Sequence, residues 1–157
     1  MTKPLTPEQK RANQVASMLE EFRHIDYGKA LGKTQKTLQE LARISRANED
    51  GSVRCVCCWK LVIWNGGNCH GGHYIPREIT GPTIDPINVW PCCVTCNKWL
   101  GGNLGAFRMF LAAEIGLTRL KELEARRREY KKWTLEELVE KRVAWMEEIR
   151  HHRKRLN

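Results

Sequence analysis

The chain has 157 residues, enough for one domain or a small core with helical extensions. Its 41% hydrophobic and 29% charged residues exclude general disorder, and no apolar run approaches the ~18 residues of a membrane helix. Twenty-seven Lys and Arg against 18 Asp and Glu give a net charge of +9. Such a balance attracts polyanions, nucleic acid above all, although a solvated surface of mixed charge is the plainer reading. The opening MTKPLTPEQKRANQ has no apolar signal-peptide core, so a cytoplasmic protein with no membrane partner is expected.

Val15, Met18, Leu19 and Phe22 fall on one helical face and predict a helix over about 7–24. Asp26-Tyr27-Gly28 reads as a break, and a second helix over about 34–48 would bury Leu38, Leu41 and Ala42. From Val53 the texture changes to Cys, Trp, Gly and β-branched residues. Leu61 to Trp64 is a candidate strand ended by Asn65-Gly66-Gly67, with Cys69 to Ile75 as the returning strand. Pro76 to Asn88, with three prolines, reads as an irregular loop. Asn103 is placed to cap a helix that carries Leu104, Phe107, Leu111 and Ile115 and stops at Gly116. Further on, Thr134 and Glu137 have capping-box spacing, with Trp133 and Leu138 as a hydrophobic staple. A stripe of Leu135, Leu138, Val139, Met146 and Ile149 follows, interrupted by Arg142. Packing within the core is the ordinary account of such stripes.

Seven cysteines stand at 55, 57, 58, 69, 92, 93 and 96. An odd count in two tight groups argues for metal rather than disulfides. Cys55-x2-Cys58 and Cys93-x2-Cys96 each let two thiolates meet one ion, and four thiolates in a tetrahedron suit a structural Zn²⁺. Cys57 and Cys92 are alternative ligands by adjacency, whereas Cys69 reads as a strand residue. A closed site of this kind holds a fold and leaves no open coordination position.

Between the knuckles lies Cys69-His70-Gly71-Gly72-His73-Tyr74-Ile75-Pro76-Arg77-Glu78, then Asn88 leading into Cys93, and Asn97 directly after Cys96. This order resembles the HNH, or ββα-metal, nucleases: a His followed by an apolar residue and Pro, a middle Asn, a Cys-x2-Cys, then His or Asn. Within that class it resembles the phage recombination endonuclease family Rap (NinG). The likeness runs from Cys55 to Gly116 and includes Gly72-His73-Tyr74, Arg77, Gly102-Asn103-Leu104, Phe107-Arg108 and Ile115-Gly116.

The resemblance implies an α+β, mostly helical protein. A zinc-stabilised HNH-like module over 53–116 would be flanked by an N-terminal helical segment, 1–52, and basic C-terminal helices, 117–157. It implies a metal-dependent endonuclease cutting branched double-stranded DNA (Holliday junctions, D-loops or flaps), in the host cytoplasm if phage-encoded. His73 would be the base, Asn88 would orient its backbone carbonyl, and Asn97 would be a ligand of a catalytic Mg²⁺ or Mn²⁺. The chemistry agrees: imidazole titrates near neutrality, and an amide oxygen is a hard donor suited to such cations. One position departs from the pattern, because Gly72 stands where an Asp or His ligand is usual. His70 is the nearest replacement, with Glu78 and Asp85 in reserve, and Asn103 is a further donor whose simpler role is the cap.

Arg77, Lys98 and Arg108 are candidates to hold phosphates near the cut. Arg126, Arg127, Arg128, Lys131 and Lys132, with the basic tail, are candidates for the duplex arms, although such runs are more often solvated helix faces. Trp59, Trp64, Trp90 and Trp99 flank the knuckles and read mostly as core. Cutting paired strands suits a homodimer through the Leu135–Ile149 stripe, which packing inside one chain explains equally well. Three plainer alternatives stand beside this reading. The histidines can join Cys69 in a structural site, Asn88 and Asn97 can only cap and turn, or the whole can be a catalytically silent zinc module binding nucleic acid or protein. A sequence-specific HNH nuclease is a further one.

Overall fold

Thr6 opens the first helix by a reciprocal cap: its hydroxyl accepts from the Gln9 N–H at 3.2 Å, and the Gln9 amide oxygen accepts from the Thr6 N–H at 2.9 Å. With Pro7 pre-set for the first turn, α1 runs Pro7–Arg23 and buries Met18 and Phe22. The computed structural model describes residues 4–156.

The second helix, α2, spans Tyr27–Ile44 and so starts well before the expected residue 34. The Asp26-Tyr27-Gly28 break is its N-cap, where the Asp26 carboxylate accepts from the Lys29 N–H at 3.0 Å. A cap reads like a turn because both need Asp beside Gly.

Four short strands follow: β1 (Ser52–Arg54), β2 (Leu61–Ile63), β3 (Cys69–His73) and β4 (Val89–Cys93). The expected hairpin of β2 with Cys69–Ile75 does not form. Instead β1 pairs antiparallel with β2, with Val53 opposite Val62, and β3 pairs antiparallel with β4, with Cys69 opposite Cys93 and His73 opposite Val89. The first cysteine knuckle is the turn between β1 and β2, closed by Trp59 N–H to Cys55 O and Cys55 N–H to Lys60 O, both 2.9 Å. That tight closure commits β2 to β1.

The helix α2 lies on the β3–β4 pair. Contact is close enough that a Cβ at Gly71 would come within 2.6 Å of the Gln39 Cα. The segment after β3 contains two 3₁₀ turns, Pro82–Ile84 and Pro86–Asn88, where the expectation was an irregular loop.

The third helix, α3 (Leu104–Ala125), is broken at Gly116 (φ 81°, ψ 157°) and resumes at once. The expected stop is therefore a kink, and both halves bury side chains (Phe107 and Leu111, then Leu120 and Leu123) beneath the cysteine-rich sheets. Asn103 is at the N-cap position in a left-handed conformation (φ 46°), but its side chain makes no cap.

The last helix, α4 (Leu135–Leu156), opens with the expected capping box: Thr134 N–H to Glu137 at 2.8 Å and Glu137 N–H to the Thr134 hydroxyl at 3.1 Å. Its stripe packs on α1 and α2, where Leu138, Val139, Val143, Trp145 and Ile149 join Met18, Phe22, Leu38 and Leu41 in a second core. Arg142 interrupts the stripe without being stranded, since it donates to the Thr37 hydroxyl at 3.1 Å and lies over the Phe22 ring. The stripe offered for a homodimer is thus occupied within the monomer. No helix among the described residues is long and apolar enough to cross a membrane.

Candidate metal centre and its histidines

The β1–β2 turn presents Cys55 and Cys58, and the end of β4 with the following π-helical turn, Thr95–Trp99, presents Cys93 and Cys96. Their four sulfurs lie within 4.8 Å of one another, and Cys58 Sγ to Cys93 Sγ is 3.7 Å. A tetrahedron of Zn–S bonds near 2.3 Å has sulfur–sulfur edges of about 3.8 Å, so the set fits zinc. Two N–H groups already point at these sulfurs: Cys96 N–H to Cys93 Sγ at 3.4 Å and the Asn103 amide to Cys96 Sγ at 3.5 Å. Donors of this kind stabilise thiolates. The helix cap foreseen for Asn103 is replaced by this bond.

The other three cysteines are placed otherwise. Cys57 turns to the Gly102 carbonyl at 3.7 Å, and its hydrogen bond to Cys55, with burial, pushes its thiol up to about 12. Cys69 is buried in β3, which pushes it up to about 11. Cys92 is buried beneath Gly72. Among the described residues the four-sulfur set is the only group of three or more His, Cys, Asp or Glu donors close enough to share an ion.

Successive residues of β3 face opposite ways, which separates the two histidines. His73 is on the same side of β3 as Gly71, towards α2, and its Nε2 is 2.9 Å from the Thr83 carbonyl oxygen. A carbonyl only accepts, so Nε2 carries the proton and Nδ1 keeps its lone pair. The ring's Nδ1 makes no hydrogen bond, and the one sealed, unpartnered side-chain nitrogen or oxygen among the described residues is His152 Nδ1. The His73 side chain is partly buried. Burial holds the imidazole below its ordinary pKa, partly offset by the Thr83 bond, which keeps the ring neutral near pH 7.

Asn88 is fully buried. Its amide nitrogen donates to the Ile75 and Pro82 carbonyls at 3.0 and 3.1 Å, and its oxygen accepts from the Ile75 N–H at 2.7 Å. The side chain thus ties the loop that carries Thr83 and does not bond the His73 carbonyl, as the resemblance had implied. It sits on a 3₁₀ turn that aims it under the loop rather than along the strand.

Across the sheet, the Asn97 amide donates to His70 Nδ1 at 2.9 Å, which puts the single N–H proton of the neutral ring on Nε2. The Asn97 oxygen faces Gly72, where a Cβ would lie 3.1 Å from it and 2.7 Å from Cys92 Sγ. The departure at residue 72 follows from packing, because no side chain fits there. His70 and Asn97 line a cleft with Arg43, Arg77 and Lys98. Burial, then the charges of Lys98 and Arg43, hold the His70 pKa below its ordinary value.

The reserve ligands are engaged. Asp85 accepts from the Ile87 N–H and pairs with Arg126 at 2.5 Å, and exposed Glu78 lies 3.5 Å from Arg77. Of the proposed phosphate contacts, Arg77 and Lys98 line the His70 cleft, whereas Arg108 is paired in two bonds with Glu124, which also accepts from the Tyr74 hydroxyl at 2.6 Å. Arg126 bridges Asp85 and Glu129, Arg127 lies over the Tyr74 ring, and Arg128 is exposed. Lys131 pairs with Glu137 beside Trp133, and Lys132 sits near Tyr27. Trp90 is buried and Trp64 partly so, but Trp59 and Trp99 are exposed, against the expectation of core. Sequence reasoning missed Thr83, Gln39 and Arg43. Gln39 and Arg43 lie a turn apart on α2 at spacing that reads as solvated helix, and Thr83 acts through a backbone carbonyl that no residue type announces.

Two knuckles that join two small antiparallel sheets through four converging sulfurs define an α+β protein with a four-cysteine set that could hold a metal ion. The sequence profile of the family described as NinG, Bacteriophage Lambda NinG protein, matches residues 7–155, and the chain belongs to that family. Protein ninG of Salmonella phage P22 is 27% identical over 104 residues, covering 65% of this chain and 49% of that protein. Protein ninG of Escherichia phage lambda is 26% identical over 104 residues, covering 65% and 48%. The chain spans about half the length of the curated relatives it matches. No solved structure matches.

Proposed function

We propose that this chain is a metal-dependent endonuclease that cuts branched DNA, such as Holliday junctions, D-loops or flaps, in phage recombination within the host cytoplasm. The observation that carries the reading is the His73–Thr83 bond, which leaves a neutral imidazole whose Nδ1 lone pair is not engaged by that bond, the state a general base needs. In this reading β3, β4 and the start of α3 are the ββα unit, residues 53–116 the nuclease module, and the four cysteines its structural zinc site.

His73 Nδ1 takes the proton of the attacking water, and the Thr83 carbonyl stabilises the imidazolium that results. Asn88 fixes the loop carrying that carbonyl. The Asn97 oxygen and His70, on the face of β3 opposite His73, would hold Mg²⁺ or Mn²⁺, which would supply charge stabilisation at the phosphate and the leaving oxygen, and the phosphate would lie across the edge of β3 not paired with β4 so that both faces reach it. Asn97 must then turn its oxygen where its amide N–H now meets His70, a rotation about one side-chain bond. Arg77 and Lys98 hold flanking phosphate.

The test is incubation of the zinc-loaded protein with a four-way junction, a flap and a linear duplex of the same sequence, each with Mg²⁺, Mn²⁺ or no added divalent ion. Cleavage of branched substrates only, dependent on the ion and lost in His73→Ala with DNA binding kept, is the expected result. Equal cutting of the linear duplex at one sequence supports a sequence-specific nuclease instead, and undiminished cutting by His73→Ala removes the catalytic assignment.

A further inference from the structure

Trp99 is 78% exposed and its neighbour Leu100 56%, whereas Trp90 and Trp145 are each 6% exposed. An indole and an isobutyl group side by side in water are unusual on a segment this well tied down. Trp99 ends the π-helical turn that begins at Thr95, and such turns recur at functional sites. The backbone around it is closed by Leu100 N–H to Thr95 O, Gly102 N–H to Cys96 O and Asn103 N–H to Leu100 O, each 2.9 Å. Gly101 (φ 56°) and Gly102 (φ 91°) take the left-handed conformations that turn the chain into α3. The tip is anchored at one end by Cys96, a sulfur of the metal centre, and so is held rigid without any packing of its own side chains.

The residues just before the tip, Asn97 and Lys98, line the cleft with Arg43, His70 and Arg77, and no carboxylate lines it. A rigid aromatic face next to a cationic, acid-free cleft complements a nucleotide: base on the indole, phosphate in the cleft. Within a duplex both faces of every base are covered by stacking. A branch point uncovers them.

We infer that Trp99 stacks on a base face left uncovered at a DNA branch, with Lys98 and Arg77 holding the adjacent phosphate, so that this tip supplies the preference for branched over linear DNA. The inference rests on the nuclease reading for its substrate and adds the contact by which that substrate is selected. Selection then needs no reading of base edges, because every base offers a stacking face.

The experiment measures binding of the full zinc-loaded chain, with no added divalent ion, to a fluorescein-labelled four-way junction and to a linear duplex of the same arm sequence. Trp99→Ala is expected to weaken junction binding about ten-fold or more while changing duplex binding less than about two-fold, and Trp99→Phe to retain most of the junction affinity. Trp99→Gln, a second variant with a solvated side chain, should behave like Trp99→Ala, with zinc content unchanged in all three. Unchanged junction affinity in Trp99→Ala and Trp99→Gln, or equal losses on junction and duplex, overturns the inference. Cleavage is scored separately. A wild-type chain that prefers junctions through Trp99 but cuts nothing overturns the nuclease reading and leaves the stacking contact standing. A Trp99→Ala chain that binds and cuts as wild type does the reverse.

Discussion

The ring of His73 and the carbonyl of Thr83, ten residues apart in the chain, meet at 2.9 Å, and that single bond decides which imidazole nitrogen keeps its lone pair. Thr83 is itself steadied from α2, because the Gln35 amide donates to its hydroxyl at 2.7 Å. The orientation of a side chain on β3 is thus set by a 3₁₀ turn and by a helix that precedes both sheets.

His73→Ala is expected to lower cleavage of a four-way junction by at least about a hundred-fold, the usual contribution of a general base, with junction affinity within about two-fold of wild type. Thr83→Ala keeps the carbonyl and loses only the hydroxyl bond to Gln35, so its loss should be much smaller. Single-turnover rates and equilibrium binding separate the two effects.

The pH dependence follows from the direction of the His73 shift. Its folded pKa lies below the ordinary 6.5, so between the two values the unfolded chain binds the extra proton. Stability is full above the unfolded value and is lost as pH falls through it towards the folded one. Denaturation midpoints should therefore drop below pH 6.5 in the wild type and drop less in His73→Gln. The acid limb of the cleavage profile should also lie below 6.5. A limb above that value contradicts a buried, neutral base.

Asn88→Ala leaves the Ile75 N–H and the Ile75 and Pro82 carbonyls without their side-chain partner. Buried polar groups left unpaired cost about 1–3 kcal/mol each, so a loss of roughly 3 kcal/mol in urea denaturation is expected. Asn88→Asp should be no better, because a carboxylate cannot donate to two carbonyls. Cleavage should fall with it, since the same loop carries Thr83.

Zinc analysis of the purified chain should find about one ion per molecule, lost in Cys58→Ser and Cys93→Ser but kept in Cys57→Ser. Removal of the ion should unfold the cysteine-rich half, because metal binding in such sites is folding free energy of about 10 kcal/mol or more. Near-ultraviolet circular dichroism of Trp90, packed edge-on to Phe110, reports the change.

Gly72→Asp, which restores the acid usual at that position of the HNH pattern, should destabilise the chain and fail to raise activity. The new Cβ would meet Cys92 Sγ at 2.7 Å. Overpacking of this kind costs about 1–3 kcal/mol, and Cys92→Ala in the same chain should return part of it. Melting temperatures of the single and double variants provide the check.

The metal centre was legible because Cys-x2-Cys is a local pattern whose chemistry depends only on spacing. The same spacing favoured Cys58 and Cys93 over their neighbours Cys57 and Cys92, and the four sulfurs that converge are those of Cys55, Cys58, Cys93 and Cys96. The helix α1 declared itself through apolar periodicity, and α4 through a capping box and an apolar stripe. The start of α2 was hidden because Asp26 and Gly28 serve a cap and a turn alike. Strand pairing was illegible for a different reason: β1 and β2 are three residues each, too short for alternation to register, and their partnership is set by the knuckle closing between them. Trp99 could not be told from the other tryptophans near the knuckles, most of which read as core, and only coordinates reveal an indole left in solvent.

One consequence of the architecture concerns the order of events during synthesis. The apolar faces of α1 and α2 are completed by α4, which is synthesised after both sheets and α3, so those two helices wait for a partner made much later. The cysteine quartet is complete once Cys96 emerges. Ion capture can accordingly organise the cysteine-rich segment of the nascent polypeptide while α1 and α2 are still unsheltered, leaving α4 to latch a structure whose interior has already been decided.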